Sequence, residues 1–167
     1  MVSGWLSARA RVQDRARAVL LALAAIAAGA GASPVRAQTV WEAGFQAIGT
    51  AAKRSAAVAG PVVAVRPSSR MRVSLSAGAG ASADDLSWRG ELLCHFLLSP
   101  FRRRGIGLYG AGGVAAVTGP VDRGYLVLTL GAEGRPAARS GWIVEAGVGG
   151  GARLAVGYRL RWSHRGP

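Results

Sequence analysis

The sequence predicts an all-β protein: an eight-stranded antiparallel up-and-down (meander) transmembrane β-barrel that follows an N-terminal signal peptide. Three observations carry that reading. Residues 1–37 have the make-up of an export leader. Beyond them, segments of about ten residues alternate apolar and non-apolar positions. The stretches between these segments are short and consist of turn residues.

The leader has its three parts in order. Residues 1–18 are basic, with Arg9, Arg11, Arg15 and Arg17 against the single acid Asp14. An uncharged run of 14 residues, Val19 to Ala32, follows, and then Ser33-Pro34-Val35-Arg36-Ala37. Val35 and Ala37 suit the small-residue pocket of a signal peptidase, so cleavage is expected before Gln38. A retained anchor would need about 20 apolar residues. No cysteine follows the apolar run, which excludes a lipoprotein anchor. The remainder, residues 38–167, is long enough for one domain, the barrel.

That remainder holds 16 basic residues against 7 acidic ones. The excess does not point to nucleic acid. Of the 21 basic residues in the chain only Lys53 is a lysine, and Ala, Gly and Val are abundant, as GC-rich coding would impose on any protein. The charges are dispersed apart from Arg102-Arg103-Arg104. For an exported protein, anionic lipid or lipopolysaccharide is the natural electrostatic partner, and nucleic acid is none. Cys94 is alone, so no intramolecular disulfide forms.

The strands read in chain order as follows. Trp41 to Gly49 puts Trp41, Ala43, Phe45 and Ala47 on one face. Val58 to Arg66 is the least regular, because Gly60-Pro61 belongs at a strand end and not inside a ladder. Met71 to Ala79 sets Met71, Val73, Leu75 and Ala77 against Arg72, Ser74, Ser76 and Gly78. Leu86 to Phe96 sets Leu86, Trp88, Leu92, Cys94 and Phe96 against Ser87, Arg89, Glu91 and His95. Ile106 to Val117 is uncharged and full of glycine. Tyr125 to Glu133 sets Leu126, Leu128 and Leu130 against Tyr125, Val127, Thr129 and Glu133. Gly141 to Gly149 sets Trp142, Val144, Ala146 and Val148 against Ile143 and Glu145. Arg153 to Trp162 sets Leu154, Val156, Tyr158, Leu160 and Trp162 against Arg153, Arg159 and Arg161. The short connections between them favour neighbours paired as a meander over parallel crossovers.

The choice between a membrane barrel and a soluble, lipocalin-like periplasmic barrel for an apolar ligand turns on the second face. A soluble barrel needs a charged exterior, and here the non-apolar face is Gly, Ala and Ser with a few charges of both signs. Such a face fills the narrow interior of eight strands, which has room only for side chains. Glu42, Arg89, Glu91, Glu145, Arg159 and Arg161 share this parity, and Glu–Arg pairing among them is expected as a lumen charge network, a structural plug, with a narrow proton or ion path as the alternative. Trp41, Trp88, Trp142, Tyr158 and Trp162 lie near strand ends on the apolar face, as lipid-interface aromatics would.

The last strand, Gly157-Tyr158-Arg159-Leu160-Arg161-Trp162, is similar to the terminal strand signal of bacterial outer-membrane proteins, in which a glycine precedes two alternate apolar or aromatic positions. With the leader and eight short strands, the chain resembles the small OmpA-like and OmpX-like barrels over roughly residues 40–162. The resemblance implies the outer membrane of a Gram-negative-type bacterium, with membrane lipid, lipopolysaccharide and the outer-membrane assembly machinery as partners.

No motif for chemistry survives inspection. Gly105-Ile-Gly107-Leu-Tyr-Gly110 has the spacing of a dinucleotide loop, but Ala111-Gly112-Gly113 opens no helix to hold a pyrophosphate. Cys94 and His95 are adjacent on a strand and point to opposite faces, so they form no dyad. No cluster has metal-ligand spacing, and Asp84-Asp85 reads as a solvated loop tip. No cofactor, metal or catalytic residue is expected. The expected role is non-enzymatic, in envelope structure or surface interaction; the alternatives are the soluble lipocalin-like barrel and an outer-membrane lipid-modifying enzyme.

Overall fold

The computed structural model describes residues 40–53, 55–82, 85–119 and 122–163. The leader, its cleavage before Gln38, and Asp84 lie outside the described residues. Eight strands follow one another: β1 (Val40–Ala51), β2 (Ala56–Arg66), β3 (Met71–Ser82), β4 (Asp85–Leu97), β5 (Ile106–Thr118), β6 (Arg123–Gly134), β7 (Ser140–Val148) and β8 (Ala152–Ser163). Each pairs antiparallel with the next, and β8 pairs with β1, so the sheet closes into a barrel without edges. This is the meander the alternation predicts. Closure leaves no edge strand, the condition for crossing hydrocarbon with strands.

The strands are staggered. Stepping between Cα partners from Trp41 through Val65, Val73, Cys94, Gly112, Leu128, Val148 and Ala152 returns to β1 at Ala51, ten residues beyond the start. For eight strands, a stagger of that size corresponds to strands tilted roughly 35–45° from the barrel axis. It is also why residues far apart in sequence share one level of the interior.

β2 corrects the expectation for Gly60-Pro61. The pair sits inside the strand, opposite Gln46 and Phe45 of β1. The cost appears on the other side, where the β2–β3 ladder runs through Ala59↔Ala79 and resumes at Val62↔Ser76 without a slip of register. Pro61 has no N–H to give, and Gly60 accommodates the close strand: a Cβ there would collide with the Ala77 carbonyl. Asp85, expected at a loop tip, opens β4 with its side chain exposed.

The connections divide into two sets. At the end of the barrel that holds Val40 and Ser163, here the terminal end, residues 67–70, 98–105 and 135–139 join the strands. They carry Arg70, Arg102, Arg103, Arg104, Arg135 and Arg139 and no acid. At the far end the connections are 52–55, 83–84, 119–122 and 149–151. Gly150 and Gly151, at φ 82° and 143°, make the tight β7–β8 turn. Arg135 adopts φ 52° at the start of the β6–β7 connection, and its N–H donates to the Gly105 carbonyl at 2.9 Å.

The two faces are sorted by chemistry. Leu126, Leu128 and Leu130 are 79%, 65% and 75% exposed on the outside, beside rows such as Leu154, Val156, Tyr158, Leu160 and Trp162. Inside, Val62, Leu93, Ala115, Val127, Ile143 and Ala155 pack with Glu42, Arg72, Glu91, His95, Glu133, Glu145, Arg153 and Arg159. Apolar outside and charged inside is the inverse of a soluble barrel with an apolar ligand cavity.

Candidate functional site

The candidate site is the ionic interior, which forms two layers. The terminal layer is gathered by strand ends that the stagger brings level. β1 presents Glu42, β2 its last residue Arg66, β3 Arg72, β6 Glu133, and β8 Arg159 and Arg161, all buried. Glu42 Oε1 accepts from Arg66 Nε at 2.6 Å and from Arg161 Nε at 3.0 Å. Glu133 Oε2 accepts from Arg72 Nη1 at 2.7 Å and Arg161 Nη2 at 3.0 Å. Arg66 Nη2 also reaches Glu133 Oε1 at 3.4 Å. Arg161 Nη1 caps two carbonyls of the β6–β7 connection, Arg135 at 3.3 Å and Ala138 at 3.1 Å.

Arg159 fares differently. Its Nη1 is 3.6 Å from Glu42 Oε2, and neither its Nε nor its Nη1 makes a hydrogen bond. Arg72 Nε is also without a partner, and its Nη1 lies 3.7 Å from the same Glu42 oxygen. Four guanidiniums therefore share two carboxylates, and Glu42 Oε2, approached by two of them, makes no hydrogen bond itself.

The far layer is smaller. Arg153 grips Glu91 with two bonds, Nη2–Oε2 at 2.7 Å and Nε–Oε1 at 3.1 Å, and Glu145 with a third, Nη1–Oε2 at 2.8 Å. Arg89 Nε donates to Glu91 at 2.7 Å, and its Nη2 to the Gly149 carbonyl at 2.9 Å. Two arginines meet two glutamates. Two-bond arginine–carboxylate pairs of this kind are the strong ones.

Tyr109 ties the layers together. Its hydroxyl donates to Glu145 Oε1 at 2.9 Å, while the Arg72 guanidinium lies over its ring, 4.7 Å from the centroid. Gly131 makes room for that ring, because a Cβ there would strike it. His95 sits 5.3 Å from Tyr109, ring to ring. Arg72 Nη2, which can only donate, faces His95 Nδ1 at 3.3 Å; Nδ1 therefore accepts, and Nε2–H donates to Ser74 Oγ at 2.8 Å. His95 is a fixed structural polar group here. Cys94, its neighbour, is exposed on the outer face.

Of the six residues the sequence nominates for a lumen network, all are buried. They fall into two groups, with Glu42, Arg159 and Arg161 in the terminal layer and Arg89, Glu91 and Glu145 in the far layer. Sequence reasoning missed Arg66, Arg72, Glu133 and Arg153, which make most of the short contacts. The signal for three of them was available: Arg72, Glu133 and Arg153 share the parity of the non-apolar face. Arg66 was hidden by the irregular reading of its strand.

The five nominated aromatics are all exposed on the outside. Trp41 faces Trp162 across the β1–β8 seam, and Trp142 faces Tyr158. Four of the five therefore sit together on the β7–β8–β1 sector toward the terminal end, and Trp88 stands apart on β4. Phe45, opposite Tyr158, joins the cluster. Two cavities open at opposite mouths and share no lining residue. The far one, about 420 Å³, is lined by Thr50, Lys53, Ser87, Arg89, Arg123 and Tyr125 among others. The terminal one, about 380 Å³, has Arg66 and Arg161 among its lining residues.

No family model matches the sequence, and curated proteins offer no match. Solved structures do. The N-terminal β-barrel domain of Pseudomonas aeruginosa OprF superposes with a TM-score of 0.60 at 12% identity, covering 75% of this chain and 98% of that one. The outer membrane protein OprG from the same organism gives 0.53 at 12% identity, covering 75% and 95%. The chain therefore has the fold of the small eight-stranded outer-membrane β-barrels of Gram-negative bacteria.

Proposed function

We propose that this protein is a non-enzymatic outer-membrane barrel with an envelope-structural role, and that its interior is a plug rather than a pore. The observation that carries this reading is the filling of the lumen by interlocked Arg–Glu pairs from Arg66 to Arg89, between two mouths whose cavities do not meet. Far-end connections of two to four residues offer little surface for recognition, which favours a structural role over surface interaction. Membrane lipid covers the apolar outer rows, and the arginine-bearing connections meet anionic lipid or lipopolysaccharide. Insertion uses the outer-membrane assembly machinery, reading the strand that ends at Trp162.

The test is reconstitution of the purified barrel in planar bilayers, with current recorded up to the voltage at which the bilayer itself breaks. The expected trace has no stable conductance steps. Steps of uniform size that persist at low voltage would contradict the plug. The leader reading is tested separately: the envelope form should begin at Gln38 by N-terminal sequencing, and a form beginning at Met1 would contradict it.

A further inference from the structure

We propose that the terminal mouth is a binding site for a small oxyanion, a phosphate-type group, held by Arg66, Arg139 and the Ser68–Ser69 hydroxyls. Two independent features lead there. The first is charge. The terminal layer buries four guanidiniums against two carboxylates, Glu42 and Glu133, and Arg159 Nε and Nη1 make no hydrogen bond, with Glu42 Oε2 3.6 Å from Nη1. The layer thus holds two more positive than negative groups, and excess buried charge is costly. The terminal connections only add arginines; among the described residues the other acids are Glu91 and Glu145 in the far layer and Asp85 and Asp122 at the far end. Among the described residues nothing at the terminal end supplies the missing negative charge.

The second feature is space. The terminal cavity of about 380 Å³ has Arg66, Ser68, Ser69, Arg139 and Arg161 in its lining and no carboxylate. Its cationic floor is part of the overcharged layer: Arg66 and Arg161 are 7% and 8% exposed. Arg161 is committed to Glu42, Glu133 and two carbonyls, whereas Arg66 Nη1 has no partner among the described residues. Ser68 Oγ accepts from the Met71 N–H at 3.2 Å, which leaves its own hydrogen free to donate. Exposed Arg139 adds a guanidinium at the rim. Guanidinium and hydroxyl donors converging on one cavity suit an oxyanion with several acceptor oxygens. The far mouth is also lined by cations, but Arg89 there belongs to a balanced layer, Lys53 and Arg123 are exposed, and Asp85 and Asp122 lie at that end.

The probe is inorganic phosphate, titrated at constant ionic strength into the full barrel in a neutral detergent, with the midpoint of heat-modifiable gel mobility as readout. The expected result is a saturable rise of the midpoint in wild type. Arg139→Ala, which leaves the buried layer intact, should weaken the apparent affinity about tenfold, the loss of one charge-assisted bond. Ser69→Glu, which supplies a carboxylate in place, should raise the midpoint without phosphate and abolish the phosphate response. A midpoint that rises linearly without saturating, or equally in all three proteins, would overturn the site, since that is the general effect of an excluded salt. Bilayers with and without phosphatidylglycerol separate the sources. If the lipid cancels the phosphate response, the ligand is a headgroup; if the response is unchanged, it is a free ion. The inference uses the layer's charge and not the plug reading, so a conducting barrel would leave it standing.

Discussion

Arg153 and Arg159 point inward from the same face of β8, and each is 1% exposed, but they live in different electrostatic surroundings. Arg153 makes three hydrogen bonds to two glutamates. Arg159 makes none through its Nε or Nη1, and its nearest carboxylate oxygen, at 3.6 Å, is also approached by Arg72. The far layer is closed and neutral; the terminal layer is overcharged, with four guanidiniums to two carboxylates. Burial alone therefore says little about what a charge contributes. What decides is whether the partners at that level are sufficient in number and geometry.

The largest expected effect follows from the scarcer acid. Glu42 serves Arg66 and Arg161 directly and lies close to Arg72 and Arg159. Glu42→Gln should destabilise the barrel by about 3–5 kcal/mol, read as the midpoint of heat-modifiable mobility or of urea unfolding in lipid. Glu91→Gln, in the layer where Arg153 keeps Glu145, should cost less. Equal losses would erase the distinction between the layers.

The outer face sharpens the comparison by reversing it. An arginine that the interior accommodates should be expelled from Leu128, so Leu128→Arg is expected to cost about 2–4 kcal/mol, while Leu128→Val stays mild. Recovery of folded Leu128→Arg at wild-type level would mean the faces are exchanged. A smaller effect is expected at the bridge between layers. Tyr109→Phe keeps the ring beneath Arg72 and removes the donor to Glu145. That loss should amount to about 1–3 kcal/mol, with the same double-mutant coupling to Glu145→Gln.

Much of this was legible in the residues. The two-residue period of Leu126, Leu128 and Leu130, or of Leu154 to Trp162, fixes a strand and its outward face together, because a slip of one residue would bury every leucine and expose every charge. Parity likewise puts Glu42, Glu145 and Arg159 inside. Which charge meets which is another matter. Glu91 meets Arg153 across 62 positions of sequence, and that contact depends on the ten-residue stagger, which no single strand encodes. Pro61 misled for a physical reason: the rule that proline leaves a ladder holds for the β2–β3 side, where pairing lapses, and not for the β1–β2 side, where it continues. The clustering of Trp41, Trp142, Tyr158 and Trp162 on one sector depends on the closing seam in the same way.

The most direct test is the same substitution in both layers. Arg153→Met and Arg159→Met each remove one equally buried guanidinium from β8 and replace it with an apolar chain of similar length. With unfolding followed in lipid, Arg153→Met should lose about 3–5 kcal/mol, because it leaves two buried carboxylates with one arginine: Glu91 keeps Arg89, and Glu145 keeps only the Tyr109 hydroxyl. Arg159→Met should stay within about 1 kcal/mol of wild type or exceed it, because it relieves a layer with more cations than carboxylates. Losses of the same size in both variants would contradict the account.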